Sequence, residues 1–435
     1  MLLECSIDNF LSIKQRVTLS LEAAAISEFP ENTFTAGNYT LLRSAVIYGA
    51  NSSGKSNLLR AISFMRHLVL SSARLSSTDG LGVTPFLLST ETRKAPSRFE
   101  VLFLLGGHRY RYGFEVSEQR VHTEWLFRAK AKAEKCLFVR DGEAIQLEKG
   151  FEEGKGLEEK TRDNALFLSV VDQFNGPLAK AIMGWFRDME TLSGLAHELY
   201  RLRTFHLLNQ ASARPLLHVF LDKLDLGFDE VQTSKRPFDP AGLPADMPSE
   251  LRDLVEQLAN SAQLDFRTRH AVFDASQRLV DYQYFDLDKQ ESSGTNKIFD
   301  LLGPIFETLT KGTVLVVDEL NAKLHPLLTK ALVDLFHSTE TNPRQAQLIF
   351  ATHDTNLLTY GHFRRDQIYF TEKDKWGATD LYALIEYKEG GETIRKDRSF
   401  EKDYIQGRYG AIPYLGNLSE LMSQWQEKQK SITPS

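Results

Sequence analysis

Alternation of apolar and polar residues predicts the strands in the first third of the chain. One pair of alternating runs is joined by a short turn around Asn9 to Ser12. Another pair flanks Gly106-Gly107, a strong hairpin signal. The runs span residues 2–10, 13–21, 98–105, 109–116, 121–128 and 136–140. Together they predict an antiparallel β-layer laid against a main sheet.

Continuous apolar runs predict strands of another kind, buried on both faces in a parallel sheet. Residues 45–48, 313–317 and 348–351 form such runs. Apolar residues at helical spacing follow the first run, from Leu58 to Leu68, and precede the second, from Ile298 to Ile305. Since buried strands alternate with helices here, the predicted fold class is α/β.

Helical periodicity dominates the middle of the chain, from about residue 157 to 256. Four prolines between residues 235 and 249 predict a loop within it. The predicted domains are an N-terminal lobe (1–156), a helical insertion (157–280) and a C-terminal lobe (281–435).

The segment after the first buried strand carries the clearest chemistry. Residues 49–56 match G-x-x-x-x-G-K-[ST] in full, and a strand and a helix flank them. This context favours a phosphate-binding loop over a turn that happens to carry a lysine. Lys55 is expected to reach the β/γ-phosphate oxygens, and the Ser56 hydroxyl to ligate Mg²⁺. The residues predicted to hold a nucleoside triphosphate are Gly49, Ala50, Asn51, Ser52, Ser53, Gly54, Lys55, Ser56 and Asn57.

Two acids at the end of the second buried run predict the rest of the site. Asp318 and Glu319 lie where the strands of open α/β sheets deliver ligand-binding residues. Asp318 is expected to join the Mg²⁺ shell, and Glu319 to act as general base on the attacking water.

A Ser-rich helix start and a histidine complete the set of candidates. Small and hydroxyl residues open the helix that precedes the second buried run and predict another anion site. A histidine after the third run is, taken alone, more often structural than catalytic. These residues are Ser292, Ser293 and Gly294 at the helix start, and His353.

The order of these motifs resembles the ABC-type ATPase heads of the SMC, RecF and OLD families. In that resemblance residues 49–56 are Walker A and Asp318-Glu319 are Walker B with its catalytic Glu. Residues 292–295 are then a divergent signature motif, and His353 is the switch histidine. The chain looks most similar to the OLD-like, RloA-like AAA ATPases of bacterial anti-phage defence systems, which include AriA of PARIS. The segments carrying this likeness are residues 9–12, 99–100, 291–295, 324–326 and 404–413.

The resemblance implies an ABC-type P-loop head that binds ATP and Mg²⁺ and hydrolyses ATP, with Glu319, Lys55 and His353 as catalytic residues. It also implies that the 292–295 helix start completes the site of an opposing subunit, so a homodimer or larger assembly is expected. The implied function is a sensor or regulator in anti-phage defence. Its expected partners are a separate toxic effector, of the Toprim nuclease type, and a phage-encoded trigger.

A RecF- or SMC-like DNA-repair ATPase acting on DNA ends is the alternative. The formal charge, 52 − 58 = −6, argues against a broad nucleic-acid-coating surface but leaves a local basic groove open. The strand from Arg109 to Tyr112 has the residues to stack on single-stranded nucleic acid. An ordinary exposed strand face is the more frequent origin of such a pattern.

Composition excludes other classes. Only Cys5 and Cys136 are present, without a metal-site spacing, so we expect no disulfide or zinc site and a reducing, cytoplasmic location. No apolar run of about 18 residues predicts a membrane span.

A nuclease activity of the chain itself is also not expected. The segment Leu384-Ile385-Glu386 resembles the strand and first acid of a Toprim nuclease domain. Only 435 − 386 = 49 residues follow, without a D-x-D, so no nuclease activity of its own is expected.

Overall fold

The computed structural model describes residues 1–130, 133–211, 213–224, 226–228, 230–235, 264–359, 362–389, 392–394, 398–412, 422 and 425. The chain divides into two compact units. Unit 1 comprises Met1–Arg187 and Ile349–Ser435, and unit 2 comprises Asp188–Leu348. The three domains predicted with limits at 156 and 280 stay a prediction.

Strands supply most of the described secondary structure. In chain order they are β1 (Leu2–Asp8), β2 (Val17–Ser20), β3 (Thr33–Ala36), β4 (Tyr39–Leu42), β5 (Ser44–Gly49), β6 (Ser97–Leu105), β7 (His108–Val116), β8 (Val121–Ala129), β9 (Glu134–Asp141), β10 (Ala144–Leu147), β11 (Glu190–Ser193), β12 (Glu230–Lys235), β13 (Leu264–Phe273), β14 (Leu279–Asp286), β15 (Val314–Asp318), β16 (Gln347–Ala351), β17 (Ile368–Lys373), β18 (Thr379–Ala383), β19 (Lys388–Glu389) and β20 (Glu392–Thr393).

The α-helices of the described residues lie between these strands. They are α1 (Lys55–Ser71), α2 (Phe167–Gln173), α3 (Pro177–Asp188), α4 (Arg201–Leu208), α5 (Arg214–Lys223), α6 (Ser293–Lys311), α7 (Pro326–His337) and α8 (Phe400–Ile405). None of the helices described is long and apolar enough to cross a membrane.

Unit 1 contains the predicted antiparallel layer. Its seven strands run in the order β10-β9-β8-β7-β6-β1-β2, and both predicted hairpin turns of this layer connect paired strands. Aromatic side chains fill its buried face. Phe99 lies at its centre, with ring centroids 5.1 Å from Phe64 of α1 and 5.3 Å from Phe10. The alternating pattern therefore predicted both the strands and the face that they bury.

A second group of strands in unit 1 carries the glycine-rich loop. β5 is buried along its whole length, as its continuous apolar run predicted. It pairs in parallel with β17, which pairs antiparallel with β18. The backbone N–H of Thr352, just after β16, donates to Ile47 O of β5 at 3.2 Å. The carboxyl ends of β5, β16 and β17 therefore lie at one edge.

Unit 2 combines a parallel strand pair, a small antiparallel sheet and the long helix α6. β11 pairs in parallel with β15, and β12, β13 and β14 form a three-stranded antiparallel sheet. The apolar face of α6 packs into a core of its own. The buried residues of this core are Leu208, Leu217, Leu221, Phe228, Phe266, Leu287, Ile298, Phe299, Leu302 and Phe306.

The predicted helical character of residues 157–280 needs correction. Helices α2 to α5 are present, but the same stretch contains β11, β12, β13 and the start of β14. Leu264 and Phe266 alternate with the charged Asp265 and Arg267, which is a strand period. Among the described residues of this stretch, the last helix is α5, which ends at Lys223, and the predicted helical region continued beyond it. The proline-rich loop predicted for 235–249 lies, after residue 235, outside the described residues.

Candidate nucleotide-binding site

The glycine-rich loop is tightly packed at both of its glycines. α1 begins at Lys55, directly after Gly54, whose φ is +113°. A Cβ at Gly54 would lie 2.2 Å from Thr379 Oγ1, and one at Gly49 only 2.4 Å from Ser53 Oγ. No larger residue fits either position without displacing its neighbours. This is the compact strand–loop–helix that the motif predicts, with its curled backbone at a helix N-terminus.

Side chains far away in sequence hold the second half of the loop. Thr379 Oγ1 lies 2.9 Å from Ser53 O and 2.7 Å from Ser12 Oγ. Asn57 Nδ2 donates to Ser12 Oγ at 2.7 Å, and Ser53 Oγ lies 2.6 Å from the Thr371 hydroxyl. The sequence pointed to the Asn9 to Ser12 turn, but nothing in it singles out Thr371 or Thr379.

The side chain of Lys55 reaches back to the first residues of the loop. It is buried, and Nζ donates to Gly49 O at 2.7 Å and to Ala50 O at 3.0 Å. The ammonium group therefore lies beside the loop that is predicted to bind the phosphates. Ser56 follows on the first turn of α1, while Asn51 and Ser52 are exposed on the loop. A triphosphate fits this cradle, because its donors are backbone N–H groups and one cation.

His353 lies in the same unit as the loop. It follows the end of β16, next to Thr352, whose N–H is bonded to β5. The neighbouring Asp354 caps a short 3₁₀ helix through Asn356 N, and its carbonyl accepts from the Tyr48 hydroxyl at 3.0 Å. The structure thus brings His353 and the strand that leads into the P-loop to one edge of unit 1.

The segment from Tyr404 packs behind the start of the loop. The Tyr404 hydroxyl donates to Ala411 O at 3.2 Å, and its ring centroid lies 5.7 Å from that of Tyr48. Burial raises the pKa of Tyr404 to about 12, and a hydrogen bond from the Gly49 backbone N–H opposes that rise. In the sequence, this segment stands out only through its resemblance to the OLD-like ATPases.

In unit 2, the Ser-rich segment opens α6 as predicted. Ser292 is the N-cap, and its Oγ accepts from Thr295 N at 3.0 Å. Ser292 and Ser293 are exposed. A Cβ at Gly294 would lie 2.8 Å from Lys323 O. The helix N-terminus is therefore open to solvent while its flank is closed against residues 319–324.

Asp318 and Glu319 also lie in unit 2, at the end of β15. Glu319 has a left-handed backbone, with φ of +56°. Gly194 supports both acids, since its N–H donates to Asp318 O at 2.7 Å and a Cβ there would lie 2.3 Å from Glu319 O. Such a conformation costs about 1 kcal/mol or more for a residue with a side chain, so the surroundings must impose it.

Lys297 of α6 is a residue that sequence reasoning missed. Its buried Nζ donates to Glu319 O and to Ala322 O, both at 2.8 Å. Burial lowers the pKa of this lysine to about 8, against the opposing charge of Glu319 and with that of Lys323. The sequence contained a signal for this residue, because a lysine on the apolar face of a predicted helix, three residues after Gly294, must find a buried partner.

The predicted site residues thus fall into two groups. In unit 1 the loop residues 49–57 and His353 lie together, and in unit 2 residues 292–294 lie near Asp318 and Glu319. The assignment of Ser56, in unit 1, and Asp318, in unit 2, as the residues that hold Mg²⁺ stays a prediction. Their hydroxyl and carboxylate oxygens suit this hard cation, which would neutralise phosphate charge.

The arginine- and tyrosine-containing strand β7 does not present stacking side chains. Tyr110 and Tyr112 are buried. Arg109 and Arg111 are paired with Glu134, at 3.0 and 2.8 Å. Both guanidinium groups of this strand are therefore engaged in ion pairs within the sheet, and Arg111 also pairs with Glu100 at 3.3 Å.

A family model described as "AAA domain, putative AbiEii toxin, Type IV TA system" matches residues 44–359. The match begins at β5, runs through the P-loop, α6 and β15, and ends beyond His353. It covers 359 − 43 = 316 of 435 residues. The chain belongs to this AAA family. Membership implies nucleotide binding and ATPase activity, with the Mg²⁺ that accompanies them, and agrees with a mixed α/β P-loop domain. No curated protein matches the chain.

Proposed function

We propose that this AAA-family protein binds MgATP and hydrolyses it as the sensor or regulator of a bacterial anti-phage defence system. The observation that carries the proposal is the P-loop, in which two glycines that tolerate no Cβ enclose a helix N-terminus and Lys55. This loop has the donors and the shape that a triphosphate requires.

In the proposed reaction, each residue has one task. Lys55 and the loop N–H groups bind the β- and γ-phosphates, while Ser56 and Asp318 hold Mg²⁺. Glu319 orients and deprotonates the attacking water. Its left-handed backbone supports this role, because strained conformations concentrate where a side chain must be aimed. His353 senses the γ-phosphate.

The defence setting rests on two supports. The family description names a toxin of a type IV toxin–antitoxin system, and the motif likeness is to OLD-like defence ATPases. In this proposal a separate effector, a Toprim-type nuclease, does the damage, and the ATPase releases it when a phage product appears. The DNA-repair alternative gains no support from β7, whose arginines are paired with Glu134.

The proposal includes a homodimer or an assembly of dimers. The N-terminus of α6 is exposed at Ser292 and Ser293, and a helix N-terminus attracts phosphate. In the proposed dimer it closes over the nucleotide of the opposing subunit and excludes water.

Two substitutions test the activity. Glu319→Gln should keep ATP affinity and lower kcat by about 10²- to 10⁴-fold, because only the general base is lost. Lys55→Ala should weaken ATP binding itself, by roughly 10- to 100-fold. Steady-state hydrolysis and equilibrium nucleotide titration measure the two effects.

Glu340→Gln, at an exposed acid in unit 2, is the control and should behave as wild type. A Glu319→Gln protein that turns over ATP at the wild-type rate would remove Glu319 from its role. In infected cells both site variants should lose protection, and protection that survives Lys55→Ala would overturn the sensor proposal.

A further inference from the structure

An exposed apolar cluster lies at the edge of unit 1, outside the residues assigned above. Leu88, Trp376 and Leu87 expose 71%, 66% and 59% of their surfaces. A Cβ at Gly377 would lie 2.7 Å from Leu88 Cδ1, so Leu88 packs on the turn that carries Trp376. We call Leu87, Leu88 and Trp376 the tip cluster. Side chains of this size rarely gather in water without a ligand or partner.

The tip cluster is held in place. The turn between β17 and β18 is fixed by Asp374, whose Oδ1 accepts from Trp376 N at 2.9 Å and from Ala378 N at 2.8 Å. Gly377 N donates to Asp374 O at 3.0 Å. The ammonium of Lys375 lies 4.4 Å from the indole centroid. Trp376 is thus presented on a rigid turn, with most of its surface open.

One of the two segments that carry the tip cluster is bonded directly to the P-loop, and the other is bonded to the turn from Asn9 to Ser12. Thr379, three residues after Trp376, touches Gly54 and bonds to Ser53 O. On the other side, Leu11 N donates to Thr84 O at 2.9 Å, three residues before Leu87. Three extended residues span about 10 Å. The cluster is therefore within a nucleoside's length of the end of the loop.

The loop itself indicates on which side a nucleoside would leave. Lys55 Nζ, which serves the β- and γ-phosphates, lies at Gly49 and Ala50. Asn57, which follows the residues assigned to Mg²⁺ and to the β- and γ-phosphates, is then expected to face the α-phosphate. Its side chain donates to Ser12 Oγ, which lies 2.7 Å from Thr379 Oγ1, so the sugar and base are expected on the side of the tip cluster.

We propose that the tip cluster is the platform on which the purine base of the bound nucleotide stacks, with the indole of Trp376 as its main surface. The inference rests on the proposed nucleotide site and adds the residues that recognise the base. An indole with two leucines offers area and a π-face, which suits stacking on a heteroaromatic ring.

The experiment compares ATP with inorganic tripolyphosphate, which has the phosphates and no base. Both are titrated with Mg²⁺ into the 435-residue wild type, Trp376→Ala, Trp376→Phe and Phe174→Ala. Phe174 is a matched control, since it is 54% exposed and its ring also carries a lysine ammonium, that of Lys160, at 5.1 Å. Trp376→Ala should weaken ATP binding about tenfold or more and leave tripolyphosphate binding unchanged. Trp376→Phe should restore most of the ATP affinity, and Phe174→Ala should change neither ligand.

Each other outcome has a separate meaning. ATP affinity unchanged in Trp376→Ala overturns the platform, and a simultaneous change in oligomeric state would assign the cluster to a protein interface. Equal losses for ATP and tripolyphosphate overturn it too, because Trp376 would then support the loop and not the base. If the wild type binds neither ligand, the proposed nucleotide site is wrong and the platform falls with it.

Discussion

Glu319 shows how a single residue depends on a neighbour that motif matching ignores. Its backbone is left-handed, and its carbonyl and that of Ala322 point at one buried ammonium, Lys297 Nζ. Two charge-assisted hydrogen bonds therefore hold the carbonyls of this turn and help to impose the strained backbone. In the proposed reaction Lys297 is therefore a positioning residue for Glu319.

Removing the Lys297 ammonium should misplace Glu319 without touching the P-loop. We expect Lys297→Met to lower kcat for ATP about 10- to 100-fold, with little change in nucleotide affinity. Lys311→Met, at the half-exposed lysine of the last turn of α6, is the control. An unchanged kcat in Lys297→Met would show that Glu319 keeps its position without the ammonium.

The same variant has a pH signature. Since the pKa of Lys297 is lowered to about 8 in the folded protein, the unfolded chain holds this proton to higher pH. The contribution of Lys297 to the free energy of unfolding therefore rises as the pH increases above 8, and it is constant at lower pH. The free energy of unfolding of the wild type minus that of Lys297→Met should grow by about 1 kcal/mol between pH 7 and pH 9. Urea denaturation at the two pH values measures it, and a constant difference would contradict the lowered pKa.

At residue level, the sequence can propose candidates where the chemistry is local. Gly49 to Ser56 and Asp318-Glu319 are contiguous, so their spacing alone was enough to predict them as site residues. Thr379 and Lys297 act through contacts with residues far away in sequence. No periodicity or spacing records such a contact, and only the folded chain reveals it.

At the scale of elements, two short helices of unit 1 receive their caps from acids elsewhere. Glu124 of β8 accepts from Phe167 N and Leu168 N, at 2.6 and 3.1 Å, at the start of α2. Glu153 accepts in the same way from Leu178 N and Ala179 N at the start of α3. Glu124 is fully buried, and burial raises the pKa of its carboxyl, whereas Glu153 is partly exposed.

This pair compares a buried cap with a partly exposed one. Glu124 also accepts from the Tyr112 hydroxyl at 2.9 Å, so its removal leaves a third buried donor without its partner. Glu124→Ala should lower the free energy of unfolding by about 3 kcal/mol, because buried donors lose their partner and water cannot replace it. Glu153→Ala should cost only about 1 kcal/mol, as an ordinary cap does. Chemical denaturation of both variants gives the comparison. Equal losses would mean that burial does not decide the strength of these caps.

Elements were predictable where a single period dominates. The strands of the antiparallel layer and the three buried strands followed from alternation and from continuous apolar runs. β12, β13 and β14 were missed because they follow a helical stretch, and their outer residues are partly apolar. Val280 and Phe273 are exposed, which blurs the alternation that normally separates a core face from a solvent face.

At the scale of the whole molecule, the proposed shared site can be tested at the exposed start of α6. Gly294 itself is unsuitable for substitution, since any Cβ there meets Lys323 O of the same chain. Ser293 is exposed beside it, so Ser293→Arg obstructs the outer face of the helix start and leaves the fold intact. We expect a homogeneous Ser293→Arg protein to lose ATPase activity.

Mixing Ser293→Arg with Lys55→Ala subunits then distinguishes shared from private sites. Random exchange makes about half of the dimers mixed, each with one working site, so about a quarter of the wild-type rate should return. Hydrolysis after co-refolding or co-expression provides the measurement. Full activity of Ser293→Arg alone, as a monomer, would eliminate the shared site.

The bonds of Thr379 to Ser12 and Ser53 join parts of the chain separated by 367 and 326 residues. A ribosome adds 379 − 56 = 323 residues between Ser56 and Thr379, which takes roughly 15 to 65 s at ordinary rates of synthesis. Before Thr379 is synthesised, the nascent P-loop already has its glycines and its lysine, but it lacks the threonine that packs against Gly54. Retention of nucleotide should therefore begin only after β18 has been synthesised, and a chain interrupted before β18 should lack it.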